Sequence, residues 1–357
     1  WSLGAGGTGV SSLRVAGTEV LVVPPPAPDD VMGVVARADT QQICLDLPAG
    51  RVEVVIDMAF QPGRVQAITA VATPEQVTDP LAAAVDLAAR ADAVVIVVGD
   101  QQGSSRESAD RTTASLDPAS NRLVDAVAEV ATETIVVANP PRAVPLPGAE
   151  KVKAVLMVWS PGQEFGPALA SVLTGNTAPS GRLPVSFPLQ NEDIPGWGTG
   201  LDAELTLDYA ASEPMGYRHF QAAERKPRYA FGYGLGYTTF ELEDAVASVG
   251  STRREPASDG FSAVTVRATV SNRGGTEGRD VVQAYTKAPG ETDFRLAGFT
   301  ALKVDIGETR EAKIALDPLG FRRWNSSETE WVVPTGEWEV RVSRSASDEG
   351  ILCRIAL

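Results

Sequence analysis

ADAVVIVVGDQQGSSRESA, residues 91–109, is the stretch that decides the fold. Val94 to Val98 is an unbroken run of apolar β-branched residues, the pattern of a strand buried on both faces of a parallel sheet. Gly99-Asp100 ends the run, and nine small or polar residues unsuited to burial follow. Ligands of open α/β sheets sit outside the carboxyl ends of the strands. Glu107, Asp110 and Arg111 therefore fall where such a sheet does its chemistry.

Outward from this stretch the pattern continues on both sides. Upstream, Asp79 is a helix N-cap with Pro80 at the first helical position, and LAAAVDLAAR carries apolar residues at helical spacing. Downstream come a helix near 119–130, a strand at 134–138, Asn139-Pro140-Pro141, a strand at 154–159 and a helix at 163–173. Alternating strands and helices define a largely parallel sheet with helices on its faces, assigned here to residues 77–240. Residues 1–76 read as all-β, with a hairpin over 10–23 around Gly17 and strands at 41–47, 51–60 and 65–71. PPPAPDD (24–30) is a loop, because proline cannot donate to a sheet ladder. These strands begin abruptly and are too few for a closed sandwich. Residues 241–260 read as a linker. From Phe261 alternation is clean, with Val264, Val266, Ala268 and Val270 on one face, so residues 261–357 are expected to form an immunoglobulin-like sandwich.

Composition narrows the function classes. A formal net charge of −15 argues against nucleic acid and anionic membrane surfaces as partners. No apolar run approaches the roughly 18 residues of a membrane span. Cys44 and Cys353 stand near opposite ends, which argues against a disulfide framework and leaves both a cytoplasmic and a secreted location open. The sequon Asn325-Ser326-Ser327 carries little weight. The first residue is Trp1, with neither methionine nor signal peptide, so the chain reads as a fragment or a processed product.

Each candidate residue also has a structural reading. Glu107-x-x-Asp110-Arg111 in isolation is what a solvated loop with a surface salt bridge looks like; its position after a buried strand favours chemistry. Glu164 stands at a helix start, where a carboxylate complements the positive end of the dipole. The loop at 160–166 lacks both the Gly-x-Gly-x-x-Gly spacing and a Walker lysine, which argues against nucleotide binding. His219, the single histidine, has no serine elbow beside it and reads as a packed residue. Trp159, Phe231 and Tyr233 could stack on a sugar or fill a core.

Taken in order, the motifs resemble a known family. VVGDQQGSSRESADR (97–111), VWSPGQEFGPALASVLTGNTAPSGRLPVSFP (158–188), and GYRHF (216–220) with YAFGYGLGYTTFE (229–241) resemble the C-terminal half of family 3 glycoside hydrolases, the β-glucosidase group. The β-rich start resembles the PA14 domain that one branch inserts into its α/β sandwich, and Phe261 onward resembles the family's fibronectin type III-like tail. The resemblance implies an α/β plus all-β chain: a partial PA14-like β-domain, an α/β sandwich and a C-terminal β-sandwich. It implies Glu107 as the general acid/base, with Asp110 and Arg111 supporting its loop. It also implies a (β/α)8 barrel, absent from these residues, that carries the nucleophilic aspartate. The branch generally has glycine and then an aromatic where this chain has Ser108 and Ala109, and an acidic residue at the position of Ser105.

The expected function is thus the acid/base half of a retaining β-glycosidase acting on terminal β-linked sugars. No cofactor or metal is implied, because two carboxylates suffice. The expected partners are a β-glycoside and a barrel-containing polypeptide that also completes the sandwich and the PA14-like sheet; this chain alone is expected to be inactive. The rival is a non-catalytic carbohydrate-binding or assembly subunit.

Overall fold

The computed structural model describes residues 1–25, 40–59, 68–74, 79–100, 111–146, 148–200, 206–207, 214–250 and 263–357. They form two compact units, Trp1–Arg142 with Leu146–Ser160, and Ala143–Pro145 with Pro161–Leu357. No described helix is long and apolar enough to cross a membrane.

The first unit opens with two three-stranded antiparallel sheets. One has the order β4 (Gln41–Cys44), β1 (Ser2–Gly7), β6 (Ile68–Thr73); the other β3 (Thr18–Val23), β2 (Val10–Val15), β5 (Val54–Ala59). Leu3, Ala5, Leu13 and Val15 form their buried core. The hairpin β2–β3 turns on Ala16 and Gly17, both at positive φ (50° and 80°), as a tight turn between right-twisted strands requires. Strand β1, SLGAGG, has no β-branched residue and was not foreseen. It is a strand because it pairs on both edges, and Gly4 leaves no room for a Cβ, which would lie 2.8 Å from the Gln41 carbonyl oxygen.

The α/β part follows. Helix α1 (Pro80–Ala88) is capped by Asp79, whose carboxylate accepts from the Ala82 N–H at 3.0 Å. Helix α2 (Pro118–Val130) is capped by Asp117 through the Ala119 and Ser120 N–H groups. Strands β7 (Val94–Val98), β8 (Thr134–Ala138) and β9 (Ala154–Met157) form the parallel sheet in that order, with Val98 beside Ala138 and Ala138 beside Met157. Ile96, Val98 and Val136 are buried, as are Val124 and Val127 of α2. Val95 and Val97, on the other face of the edge strand β7, are exposed.

The second unit holds helices α3 (Phe165–Leu173) and α4 (Tyr217–Ala222) and the C-terminal sandwich. One sheet has the order β10 (Phe240–Val249), β11 (Val264–Asn272), β14 (Thr309–Ala315). The other is β13 (Arg295–Val304), β12 (Gly278–Lys287), β17 (Glu337–Ser343), β18 (Ile351–Ala356), and β15 (Arg323–Asn325) with β16 (Glu330–Val332) makes a separate hairpin. Val264, Val266, Ala268 and Val270 face the core as alternation demands, opposite Val282, Ala284, Val340 and Val342. Residues 241–249, expected in the linker, are instead part of β10, paired along their length with β11. The charged residues Glu241, Glu243 and Asp244 hid a strand that buries Phe240 and Ala245 and packs Leu242 and Ala247 partly against the core.

The glycine–aromatic run packs onto this sandwich. The Tyr217 ring stacks on Phe231 at 4.8 Å and stands edge-on to Tyr285 at 5.9 Å, and its hydroxyl accepts from the Leu296 N–H at 2.8 Å. The carbonyl of Gly232 (φ 79°) accepts from the Gln283 side-chain amide at 3.0 Å, in a space where a Cβ would strike Gln283. Beside it, Asp280 is fully buried between two cations. Arg182 lies 2.7 Å from one oxygen, and the Arg344 Nε lies 3.0 Å from the other. Burial lowers the Arg182 pKa most; Asp280 opposes the shift and Arg344 adds to it. Replacing Asp280 with Asn leaves two largely buried guanidiniums without a counter-charge. The expected loss is about 3–5 kcal/mol, read as a lower urea midpoint for this unit; an unchanged midpoint would show the carboxylate to be dispensable.

Candidate active site at the carboxyl ends of the parallel strands

The three parallel strands end in Gly99-Asp100, Asn139-Pro140 and Val158-Trp159-Ser160. Gly99 lets the Asn139 side chain approach closely, since a Cβ would lie 1.6 Å from its amide oxygen. Where β9 ends, the Val158 N–H still donates to the Ala138 carbonyl at 2.8 Å. The next residue, Trp159, takes a left-handed conformation at φ 54°. A bulky residue held there costs on the order of 1–2 kcal/mol, and such strain concentrates at functional sites.

The charged centre of this rim is Asp100. Arg142 donates two hydrogen bonds to its carboxylate, the one to Oδ1 at 3.0 Å, and a third to the Ala114 carbonyl at 3.2 Å. Arg111 Nη1 stands 3.5 Å from the same carboxylate, whose side chain is only 10% exposed. Burial lowers the Arg111 pKa first, the neighbouring Arg142 lowers it further, and Asp100 pulls the other way. Two cations thus share one carboxylate.

Of the residues expected in the site, Arg111 is in this cluster; Glu107 and Asp110 lie outside the described residues. Asp100 is more than a strand terminator, and Arg142 was missed. The only signal for Arg142 was a basic residue directly after the Asn-Pro-Pro turn. Glu164 is the exposed N-cap residue of α3, with no side-chain bond to the helix. His219 is buried in α4, edge-on to Phe220. Among the described residues no group of three or more His, Cys, Asp or Glu side chains comes together to hold a metal.

With this geometry in hand, the relatives are informative. The glycosyl hydrolase family 3 C-terminal domain matches residues 18–237, and the fibronectin type III-like domain matches residues 280–346. The chain belongs to glycosyl hydrolase family 3. It is 35% identical over 288 residues to beta-glucosidase B of Emericella nidulans, covering 76% of this chain and 33% of that protein. Its structure resembles the beta-glucosidase of Kluyveromyces marxianus in complex with glucose, with a TM-score of 0.83, 25% identity, and coverage of 100% of this chain and 42% of that one. A family 3 beta-glucosidase of Bifidobacterium adolescentis matches with a TM-score of 0.70 and 30% identity over 78% of this chain and 40% of its own. The chain spans about a third of the length of the first of these relatives.

The ion cluster yields a direct expectation. Asp100→Asn removes the shared counter-charge and leaves Arg111 and Arg142 repelling each other. Unfolding free energy is expected to fall by about 1.5–3 kcal/mol, the range for hydrogen bonds to charged groups. Addition of Arg142→Met should recover part of that loss by removing one of the opposed cations; absence of any loss in Asp100→Asn would show the cluster to be solvent-screened.

Proposed function

We propose that this chain supplies the general acid/base of a retaining glycosidase acting on terminal β-linked sugars. Glu107 is that group. As an acid it protonates the leaving glycosidic oxygen, while a carboxylate on a separate barrel domain, about 5 Å away, attacks the anomeric carbon. It then acts as the base that activates water to release the sugar. The observation that carries this reading is the Asp100 cluster. Residues 101–110 leave the sheet at Asp100 and rejoin the described chain at Arg111, and these two side chains lie 3.5 Å apart. The described residues that flank the Glu107 segment, Asp100 and Arg111, are therefore held together at the strand ends where α/β sheets bind ligands. Asp110 adds a further carboxylate beside Arg111 for fixing the segment.

The barrel is the second component, and the exposed Val95 and Val97 on edge strand β7 are the surface it or its adjoining elements would cover. Residues 1–76 are read as a PA14-like element, a reading supported by the two antiparallel sheets that their described residues form. A second reading, a non-catalytic carbohydrate-binding or assembly subunit, is favoured by Ser105, Ser108 and Ala109 in the glutamate segment.

Residues 1–357 expressed by themselves carry one of the two carboxylates, so purified material should release no nitrophenol from aryl β-glucosides above background. Sustained turnover would remove the need for the barrel. In the assembled enzyme, Glu107→Gln should lower rates roughly 10²–10⁴-fold for alkyl glycosides and disaccharides and far less for the glycosylation step with dinitrophenyl leaving groups. Azide should restore turnover and give the β-glycosyl azide. A uniform loss across leaving groups without azide rescue would reduce Glu107 to a structural residue, and an assembled chain with no activity on any glycoside would favour the subunit reading.

A further inference from the structure

The hairpin β15–β16 pairs Arg323 with Val332, Trp324 with Trp331 and Asn325 with Glu330. Successive side chains of a strand point to opposite faces, so the two tryptophans share one face and the other pairs share the opposite one. The second face is tied to the sandwich. Arg323 donates to both oxygens of Glu291 at 2.5 Å and to the Gly320 carbonyl at 3.1 Å, and its guanidinium lies 5.2 Å from the ring centre of the fully buried Trp338. Burial alone would raise the Glu291 pKa, but the Arg323 hydrogen bonds and the charges of Arg323 and Arg295 hold it below the ordinary value. The ribbon is therefore braced from beneath by a charged anchor on the domain core.

The outer face is open. Trp324 is 49% and Trp331 56% exposed, with ring centres 5.6 Å apart and planes at 68°. Each ring shelters part of the other, which helps the hairpin by about 0.2–1 kcal/mol, yet both keep broad apolar surface in water. The turn between them adds the exposed hydroxyls of Ser326, Ser327 and Thr329.

Size and charge select the occupant. Two half-exposed indoles offer on the order of 200–300 Å², well short of the roughly 800 Å² per partner of a stable protein interface. The net charge of −15, with Glu328 and Glu330 in the same hairpin, disfavours an anionic lipid surface or an acidic polysaccharide. The electron-rich faces of the rings complement the weakly positive C–H faces of pyranose rings, and the turn hydroxyls match sugar hydroxyls. We propose that Trp324 and Trp331 form a platform that docks a neutral oligo- or polysaccharide chain on the C-terminal sandwich. Family membership supports the ligand class, and the proposal does not depend on the role of Glu107.

The test is affinity electrophoresis of the full chain through gels containing laminarin or hydroxyethylcellulose, with polymer-free gels as reference. The unaltered protein should be retarded. Trp324→Ala and Trp331→Ala should each weaken binding about 3- to 10-fold, whereas Trp324→Tyr, which keeps an aromatic face and preserves the hairpin, should retain most of the retardation. Melting temperatures recorded in parallel separate lost binding from lost structure. Unretarded wild-type protein with both polymers, or equal retardation of wild type and both alanine variants, overturns the platform. So does a concentration-dependent dimer in sedimentation that Trp324→Ala abolishes, since the face would then serve self-association. Because the readout is binding, failure here leaves the leaving-group test of Glu107 untouched, and the converse holds.

Discussion

One buried carboxylate organises the second unit. Asp280, on strand β12, neutralises Arg182 from the Ser180-Gly181-Arg182-Leu183-Pro184 run and Arg344 from the end of β17. Replacing such a group with well-packed apolar residues is often no less stable, whereas removing one partner strands a buried charge. The cluster is therefore better understood as a device that fixes which segments meet than as a source of net stability. It draws the turn at 180–184 against the sandwich, and the neighbouring Gln283 accepts from the Tyr285 hydroxyl while its amide holds the carbonyls of Gly232 and Arg344. The conspicuous glycine–aromatic motif then has a mechanical reading. Its aromatics fill the seam of this unit, Tyr217 on Phe231 and Tyr229 on Tyr233, and Gly232 provides the close approach.

The first unit uses the same chemistry differently. At the end of β7 the ratio is again two guanidiniums to one carboxylate, but here the cluster stands at a rim, with Asp100 next to the segment that carries Glu107. Arg142 and Arg111 meet on Asp100 from two directions, and the strained Trp159 turns the chain at the end of β9, on the far side of β8.

Much of this was legible in the residues. The runs at 94–98 and 134–138 do form parallel strands, although the face of β7 that carries Val95 and Val97 is exposed and not covered as expected, and the helices announced themselves through Asp79-Pro80 and Asp117-Pro118. The alternation from Val264 reported its sheet directly. Strand β1 was invisible because its cause is tertiary: glycines pressed between two neighbouring strands have no propensity to display. Strand β10 was masked by its acidic residues, which pair with Arg273 at the surface. Of the described ion cluster, Arg111 was legible and Arg142 was not, while Glu107 and Asp110 lie outside the described residues. Glu107, Asp110 and Arg111 stood out only through their spacing after a strand and through a family motif. The pairing of Asp100 with Arg142 depends on two loops that are separated in sequence and adjacent only once the parallel register is set.

The Asp280 cluster also bears on how fast the molecule comes apart. Its members are 98 and 64 residues from Asp280 along the chain, so closing it requires two long loops whose entropy must be met first. Contacts of that kind form after the strands have found their topology, and interactions absent from the folding transition state act mainly on the unfolding rate. Loss of one member of the Arg182–Asp280–Arg344 set, which strands a buried charge, is therefore felt mainly as a shorter lifetime of the assembled state and little in the speed of assembly: the set is a kinetic latch.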